Sequence, residues 1–501
     1  MSLFVTKHVT SSKLRPPPIH HREDEAFRLL EGTLTIQVGE IQSPDMEDKI
    51  KIENQEAQDQ EIPPSPSSWP RSPKRHLYLL GRVLYRAVPP RLRAFLAPIA
   101  AHVVLLRRLR PEVWIITGEE RVSHLPLSVC LYSVTEEYRD YLQNVTFGDL
   151  FQARYLGHTW LWRASSTPPA AAGSCSILIA EVHERHLKQM GTSAGIVVPA
   201  WIRGHALLPR GPEVMQRSSI KEILRKMRQR GWEYEVTGDP EKFDYFYQKM
   251  YVPHTKTRFG DSAFLSPREK LKAKFDSGEL IFVRKQNEYV SGALLVYEGD
   301  VARMPFLGVR DGEWELVVAG ALVALYEFIL QHLEQRGFRS VDLGESRTFL
   351  NDGVLRFKMK YGHTISSASV HKFLIRVLSD TNAARAFLQN NPFIFQHADE
   401  LRGAVFLDAA APPSTRTLHE IHKEHSHPGL SELMVFSFAP AGAATLNLPT
   451  PLPDSPSDTS DPPQDQPFYQ HLTSADYAPV INRLGPIGIA NAIAIRPHEK
   501  N

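Results

Sequence analysis

The side chains best suited to chemistry lie in one stretch, residues 338–362, FRSVDLGESRTFLNDGVLRFKMKYG. The pattern predicts a short buried strand over VDLG, then a polar loop and a short basic helix. The strand end and the loop carry five charged or amide side chains: Asp342, Glu345, Arg347, Asn351 and Asp352. Because charged groups are seldom buried without a partner, this density predicts a functional site or its rim.

Glu345 is the candidate catalytic base. It directly follows the predicted strand, where its carboxylate would accept a proton from a reacting amine. A salt bridge with Arg347 is the competing interpretation. Asn351 and Asp352 precede the short helix and are predicted to cap it, and a contact with substrate would be an additional role.

Lys358 and Lys360 give the short helix a cationic face that suits a phosphate or a carboxylate. A solvated face is the alternative. Arg258, in the segment HTKTRFGD, is predicted to project into the same cleft, whereas His254 is predicted to be a surface loop residue. The predicted substrate-binding residues are Arg258, Arg347, Asn351, Asp352, Lys358 and Lys360.

The composition limits the classes of protein that fit. A chain of 501 residues with 42% hydrophobic and 23% charged residues is typical of a globular protein with two domains. The net charge of +2 gives no reason to expect sequence-specific binding of nucleic acid. With two cysteines and no apolar run long enough for a transmembrane helix, a cytoplasmic location is expected.

No metal site is predicted. His419, His422, His425 and His427 are close in sequence, but their spacing does not place three imidazoles on one face, so a polar loop is favoured. The chain also lacks a Walker A loop, a dinucleotide-binding fingerprint and a nucleophile elbow.

The chain divides into seven segments by pattern and composition. The predicted segments are a disordered segment at 1–70, basic amphipathic helices at 71–111, a first α/β half at 112–216, a linker helix at 217–231 that Gly231 ends, a second half at 232–400, edge strands at 401–437 and a mostly disordered tail at 438–501. Residues 71–110 contain ten Lys/Arg and no Asp/Glu. This stretch is predicted to pack as a helical hairpin, with peripheral membrane contact as the alternative.

The second half resembles a known acyltransferase family. Its predicted order of two helices, a three-stranded meander, a long helix, a strand, a short helix and further strands is similar to the GNAT acyltransferase fold. The segments YVPHTKTRFGDSA, VDLGESR and NDGVLRFKMKYG resemble the FemAB-like group and its relatives known as GNAT-type acetyltransferases. The resemblance is clearest over 232–375 and implies tandem GNAT-like domains with mixed, mostly antiparallel α/β sheets.

The resemblance implies transfer of an acyl group, acetyl or aminoacyl, to the amine of a small-molecule or peptide-like acceptor. Acyl-CoA, such as acetyl-CoA, is the implied donor, and aminoacyl-tRNA is the alternative. The glycine-rich turn that holds the pyrophosphate of coenzyme A in this family is replaced here by GVRDGEWELVVAG, so coenzyme A is not specifically indicated. A catalytically silent binding module that uses residues 71–110 is the competing hypothesis, and a hydrolase on an unrelated fold has no motif in its favour. The sequence does not give the oligomeric state.

Overall fold

The computed structural model of the protein describes residue 106 and the following ranges: 108–148, 150–166, 173–191, 195–259, 265–367, 369–408, 411–440 and 467–496. The predictions for 1–70 and for nearly all of 71–111 lie outside the described residues. Among the helices that the structure describes, none combines the length and hydropathy needed to cross a bilayer.

Two mixed sheets organise the described residues, as the α/β prediction expects. The larger sheet has eleven strands in the order β17-β18-β16-β15-β14-β5-β13-β4-β2-β1-β3. Its strands are β1 (Glu112–Glu119), β2 (Pro126–Ser133), β3 (Phe151–His158), β4 (Ile177–His183), β5 (Ile196–Pro199), β13 (His371–Val377), β14 (Phe393–His397), β15 (Glu400–Leu407), β16 (Glu432–Phe438), β17 (Phe468–His471) and β18 (Ile489–Arg496). Neighbours are antiparallel except β2 with β4 and β15 with β16.

The smaller sheet has seven strands in the order β12-β6-β11-β10-β9-β8-β7. They are β6 (Ile202–Leu207), β7 (Glu233–Thr237), β8 (Gly278–Lys285), β9 (Glu288–Glu298), β10 (Val301–Val309), β11 (Ser340–Ser346) and β12 (Thr364–Ser367). Only β10 and β11 are parallel neighbours in it. The predicted meander is β8–β10.

Helices cover the sheets or connect their strands. They are α1 (Glu136–Thr146), α2 (Arg163–Ser166), α3 (Glu184–Leu187), α4 (Pro212–Met215), α5 (Ser218–Arg230), α6 (Pro240–Tyr245), α7 (Val252–Phe259), α8 (Arg268–Phe275), α9 (Trp314–Val318), α10 (Ala321–Gln335), α11 (Gly353–Met359), α12 (Asn382–Asn390), α13 (Thr415–His425) and α14 (Ser474–Leu484). A π-helical turn, Phe246–Tyr251, joins α6 to α7. Gly231 ends α5 in the left-handed conformation, as the sequence predicts.

The smaller sheet is buried on both faces. The apolar helix α10 packs on one face, where Leu325 and Ile329 are almost fully buried. Helices α6–α8 cover the other face with aromatic side chains such as Phe243 and Phe246. Burial of each such side chain stabilises the folded state by about 1.5–3 kcal/mol. The sheet is therefore well packed and holds the residues at its strand ends in fixed positions.

The C-terminal part differs from the sequence-based expectation in two respects. Residues 467–496 were expected in a disordered tail, yet they form β17, α14 and β18. The alanine-rich β18 gives a weak strand signal, and it is stabilised by pairing with the distant β16. The expected edge strands at 401–437 are β15 and β16, which lie inside the larger sheet.

The chain passes between the sheets more than once. Strand β6 belongs to the smaller sheet although it precedes α5, and β13 and β14 belong to the larger sheet although they follow β12. The division into a first half that ends at 216 and a second half that begins at 232 remains a prediction. The two sheets do not coincide with these halves, because each contains strands from both.

Candidate functional site

The two parallel strands of the smaller sheet separate along their length. Strand β10 pairs with β11 only at Val301–Arg303 against Ser340–Asp342, although both strands continue. The register of β11 with β6 shifts between Asp342 and Glu345, around Gly344 with φ 78°. Glycine adopts this conformation without strain. Beyond the last paired residues, the facing backbone groups have no partner within this strand pair, which leaves them available to a ligand.

Lys358, on α11, lies at the end of β11. Its side chain is 2% exposed, and Nζ donates a hydrogen bond of 2.8 Å to the backbone oxygen of Glu345. Burial lowers the pKa of Lys358 to about 8, with Arg258 acting in the same direction and Asp352 opposing it. A buried ammonium with a pKa near neutrality suits proton transfer or the stabilisation of a developing negative charge.

Asp352 and Arg258 complete the charges around this lysine. Asp352 caps α11 as predicted, because Oδ1 accepts a hydrogen bond of 2.9 Å from the Leu355 amide. Burial raises the pKa of Asp352. Arg258 lies on α7 rather than in an irregular segment, and it is near enough to lower the pKa of Lys358. The structure therefore brings three of the predicted site residues together.

His254 was expected on the surface, and this prediction is wrong. It is 6% exposed on α7, and burial together with Arg258 lowers its pKa to about 3. The helical spacing of four residues places both side chains on one side of α7. His254 is therefore a neutral core residue beside the site.

Glu345 and Arg347 do not form the predicted salt bridge. The Glu345 carboxylate is 43% exposed and lies 3.3 Å from a guanidinium nitrogen of Arg203 on β6. Side chains two residues apart on a strand point to the same face, which would bring Glu345 and Arg347 together. Strand β11 ends at Ser346, however, and in the loop that follows, Arg347 has other partners. The two charges thus have different partners.

Arg347 lies in an aromatic cage beneath the larger sheet. Its guanidinium is 3.5 Å from the ring centroid of Trp201 and 4.1 Å from that of Tyr141, and it donates to Glu137 over 3.1 Å. Cation–π contacts of this kind stabilise a buried guanidinium. Arg347 therefore links the site loop to α1, which sequence alone does not reveal.

The remaining predicted residues have separate environments. The side chain of Asn351 donates to the backbone oxygen of Asn390 over 3.0 Å instead of capping α11. Lys360 does not share a face with the buried Lys358, and it lines a cavity on the far side of α11. Arg356 pairs with Glu424 over 3.4 Å. The predicted cationic face is thus divided between two sides of the helix.

The cavity lies between α5, the start of α10 and the end of α11. It has a volume of about 310 Å³. Its lining combines apolar side chains with cations: Ile223, Met227, Trp232, Val323 and Phe357 with Lys226, Arg230 and Lys360. Glu222 contributes a carboxylate that pairs with Arg225 and Lys226.

Gly320 sets the geometry of this cavity. It precedes α10 with φ 88° and provides no side-chain cap for that helix. A Cβ at Gly320 would lie 3.4 Å from a guanidinium nitrogen of Arg230. A cation beside the positive end of a helix is unfavourable unless an anion lies between them. The cavity is therefore suited to an anion. The sequence did not indicate this, because the family's glycine-rich motif is absent.

In the part of the chain that the structure describes, no group of three or more His, Cys, Asp or Glu side chains is arranged to hold a metal ion. The prediction of a polar loop for the four clustered histidines is wrong, because His419, His422 and His425 lie on α13 and His427 follows it. His425 and His427 are buried and His427 contacts His363, with ring centroids 6.1 Å apart.

The chain is similar to known proteins over part of its length. Residues 215–359 match the family model of the acetyltransferase (GNAT) domain. No curated protein matches the chain.

Solved structures are similar to parts of the chain at low identity. L-PGS from Bacillus licheniformis is 12% identical, with 41% of this chain and 69% of that chain covered and a TM-score of 0.28. The C-terminal domain of a putative lysylphosphatidylglycerol synthetase from Agrobacterium fabrum is 16% identical, with 56% and 88% covered and a TM-score of 0.27. FemX is 14% identical, with 53% and 84% covered and a TM-score of 0.28. These TM-scores add no weight to an assignment.

The family match spans the elements that build the site. It begins before α5, includes the separating strands β10 and β11, and ends with α11. The sequence resemblance to this family is thereby confirmed. Residues 215–359 thus match an acetyltransferase (GNAT) domain.

Proposed function

We propose that the protein is an N-acyltransferase in which an amine directly attacks an activated acyl donor. The observation that carries the proposal is the cavity at the start of α10, with its apolar floor and cationic rim. A donor of the acyl-CoA class has phosphates for Lys226, Arg230 and Lys360 and an apolar arm for the floor. The cavity and the end of β11 lie on opposite sides of α11, so the donor's arm must pass α11 for its acyl group to reach the gap between β10 and β11.

The chemistry needs little from the protein because the donor is already activated. The amine nitrogen attacks the acyl carbon, the carbonyl oxygen becomes an oxyanion, and the donor's thiolate leaves as the amide forms. We assign Lys358 to the oxyanion, since its ammonium lies at the end of β11. Glu345 accepts the proton that the amine loses, as its half-exposed carboxylate faces solvent at the same strand end.

Acetyl-CoA is the first donor to test, and aminoacyl-tRNA is the alternative with the same combination of phosphate and acyl ester. The acceptor is a small-molecule or peptide-like amine. The cavity residues favour an anionic donor in both versions, and the cavity volume of about 310 Å³ accommodates only part of either molecule.

The test is a thermal-shift titration with coenzyme A and acetyl-CoA. A ligand at about 100 times its dissociation constant stabilises the folded state by about 2.7 kcal/mol. Arg230→Glu should weaken this binding about tenfold or more, because a hydrogen bond to a charged group contributes about 1.5–3 kcal/mol. Arg228→Glu is the matched control, since Arg228 is an exposed arginine on the same helix outside the cavity.

The outcomes have distinct meanings. A shift that Arg230→Glu removes and Arg228→Glu retains supports a coenzyme A donor. Stabilisation by aminoacyl-tRNA alone, lost in the same variant, supports the alternative donor. If both variants bind equally well, the cavity is not the donor site. If neither donor binds, the result favours the binding-module hypothesis over the enzyme.

A further inference from the structure

Two exposed tryptophans lie at one edge of the larger sheet, far in sequence from the acyltransferase domain. Trp160 and Trp162 follow β3, which is the last strand on that side. Their rings stack with centroids 4.7 Å apart and an interplanar angle of 12°. They are 41% and 43% exposed. Stacking of two large rings at a surface brings a continuous aromatic area to solvent, which marks an interaction site.

One cation contacts the pair, a second arginine follows the pair in sequence, and an exposed leucine is close in sequence to the first cation. The guanidinium carbon of Arg110 lies 5.3 Å from the ring centroid of Trp160. The segment that carries Arg110 runs beside the tryptophans, since the Leu161 amide donates to the Leu109 oxygen over 2.8 Å. Leu106, at the start of that segment, is 63% exposed. We call Leu106, Arg110, Trp160, Trp162 and Arg163 the tryptophan surface.

The charge of this surface has one sign. Residues 151–166 contain two arginines, Arg154 and Arg163, and no acidic residue. Glu112, the nearest carboxylate in sequence to Arg110, is already engaged by the Trp114 ring nitrogen at 3.1 Å and by Arg139 at 3.7 Å. The surface therefore offers apolar rings and the positive charges of Arg110 and Arg163, for which the described residues show no carboxylate partner.

We propose that the tryptophan surface docks the protein on an anionic phospholipid bilayer. Tryptophan rings are favoured at the level of the lipid headgroups, where one edge is apolar and the other is wet. Arginines beside them are attracted to anionic headgroups near the membrane surface. Residues 71–105, which precede this surface in the sequence, contain seven Lys/Arg and no Asp/Glu, so their composition has the same sign of charge.

Vesicle sedimentation of the full chain tests the proposal. The probes are vesicles of phosphatidylcholine alone and of phosphatidylcholine mixed with phosphatidylglycerol. The protein should bind the anionic vesicles and release as salt is raised, because screening shortens the range of the attraction. The double variant Trp160→Ala/Trp162→Ala should bind about tenfold more weakly. Phe468→Ala is the control, since Phe468 is 58% exposed on β17 at the opposite edge of the same sheet.

Charge is tested separately from the rings. Arg110→Glu should weaken binding to the anionic vesicles, while Arg416→Glu, at an exposed arginine on α13 that is 89% exposed, should not. Equal binding of wild type and the tryptophan variant overturns the proposal for this surface, whatever the basic residues at 71–110 contribute. Absence of binding to both vesicles overturns it too. Concentration-dependent self-association that the tryptophan variant abolishes, without vesicle binding, would assign the surface to a second copy of the chain instead.

Discussion

Replacing Lys358 with methionine should separate stability from activity. Methionine has a similar length and no charge, so it fills the space without the ammonium. We expect Lys358→Met to keep or raise the free energy of unfolding while lowering kcat strongly. The reason is that burying the charged ammonium of Lys358 destabilises the folded state.

The magnitudes follow from the surroundings of Nζ. The difference between the ordinary lysine pKa of 10.5 and about 8 corresponds to about 3 kcal/mol against the buried ammonium. Methionine removes this penalty but leaves the Glu345 oxygen without its donor, which costs about 1–3 kcal/mol. Asp352, whose pKa burial already raises, then takes up a proton more readily. The net change in stability should lie between zero and a gain of about 2 kcal/mol.

Two measurements check this. Urea unfolding followed by circular dichroism gives the free energy of unfolding, and release of the free thiol from acetyl-CoA with a panel of primary amines gives kcat. Loss of one oxyanion donor lowers kcat by about 10²–10³. In the wild type kcat should fall above pH 8, where Lys358 loses its proton, and this alkaline limb should move to higher pH in Lys358→Arg.

Lys372 supplies the matched control. It is also 2% exposed with a pKa lowered by burial, but it lies on β13 of the larger sheet and donates to Ser367 over 3.0 Å. Lys372→Met should leave kcat unchanged. The reasoning is refuted if Lys358→Met keeps the wild-type kcat, or if it loses the 3–5 kcal/mol that breaking a required buried ion pair removes.

Two further predictions concern other titratable groups. Glu345→Gln should lower kcat by about 10² or more with unchanged stability, because its half-exposed pair with Arg203 contributes at most about 1 kcal/mol; equal kcat in this variant would exclude Glu345 as the base. Stability should be full above pH 6.5 and fall as the pH decreases towards 3, because burial lowers the pKa of His363 and of His427 to about 3 while the unfolded chain takes up protons near 6.5. Each ring then contributes up to about 5 kcal/mol to the loss. His427→Leu should reduce the slope of the unfolding free energy against pH, and an unchanged slope would contradict the assignment.

The sequence predicts what depends on neighbouring residues. Asp352 caps the helix that begins after it, and Gly231 ends the helix before it, since both effects are local. The α/β class follows from strand and helix patterns, and the resemblance to the GNAT family rests on element order and short segments over 232–375. These features need no knowledge of distant contacts.

The partners of the charged residues could not be predicted because they come from remote segments. Arg347 and Glu137 are 210 residues apart in sequence, and Arg203 and Glu345 are 142 residues apart. The sequence distinguishes neither the buried Lys358 from Lys360 nor their different sides of α11. Burial of each depends on how α11 packs against β11 and α5, which no local pattern contains.

The position of β6 has a consequence for any fragment of this chain. Residues 215–359 carry the family match, but β6 at Ile202–Leu207 precedes them and is the antiparallel neighbour of β11. A fragment cut to the matched region would therefore expose β11 as an unprotected edge, with unpaired backbone groups that promote aggregation. It would also lose Arg203, the partner of Glu345. We therefore expect the matched region to fold as an isolated fragment only when the residues that form β6 are included.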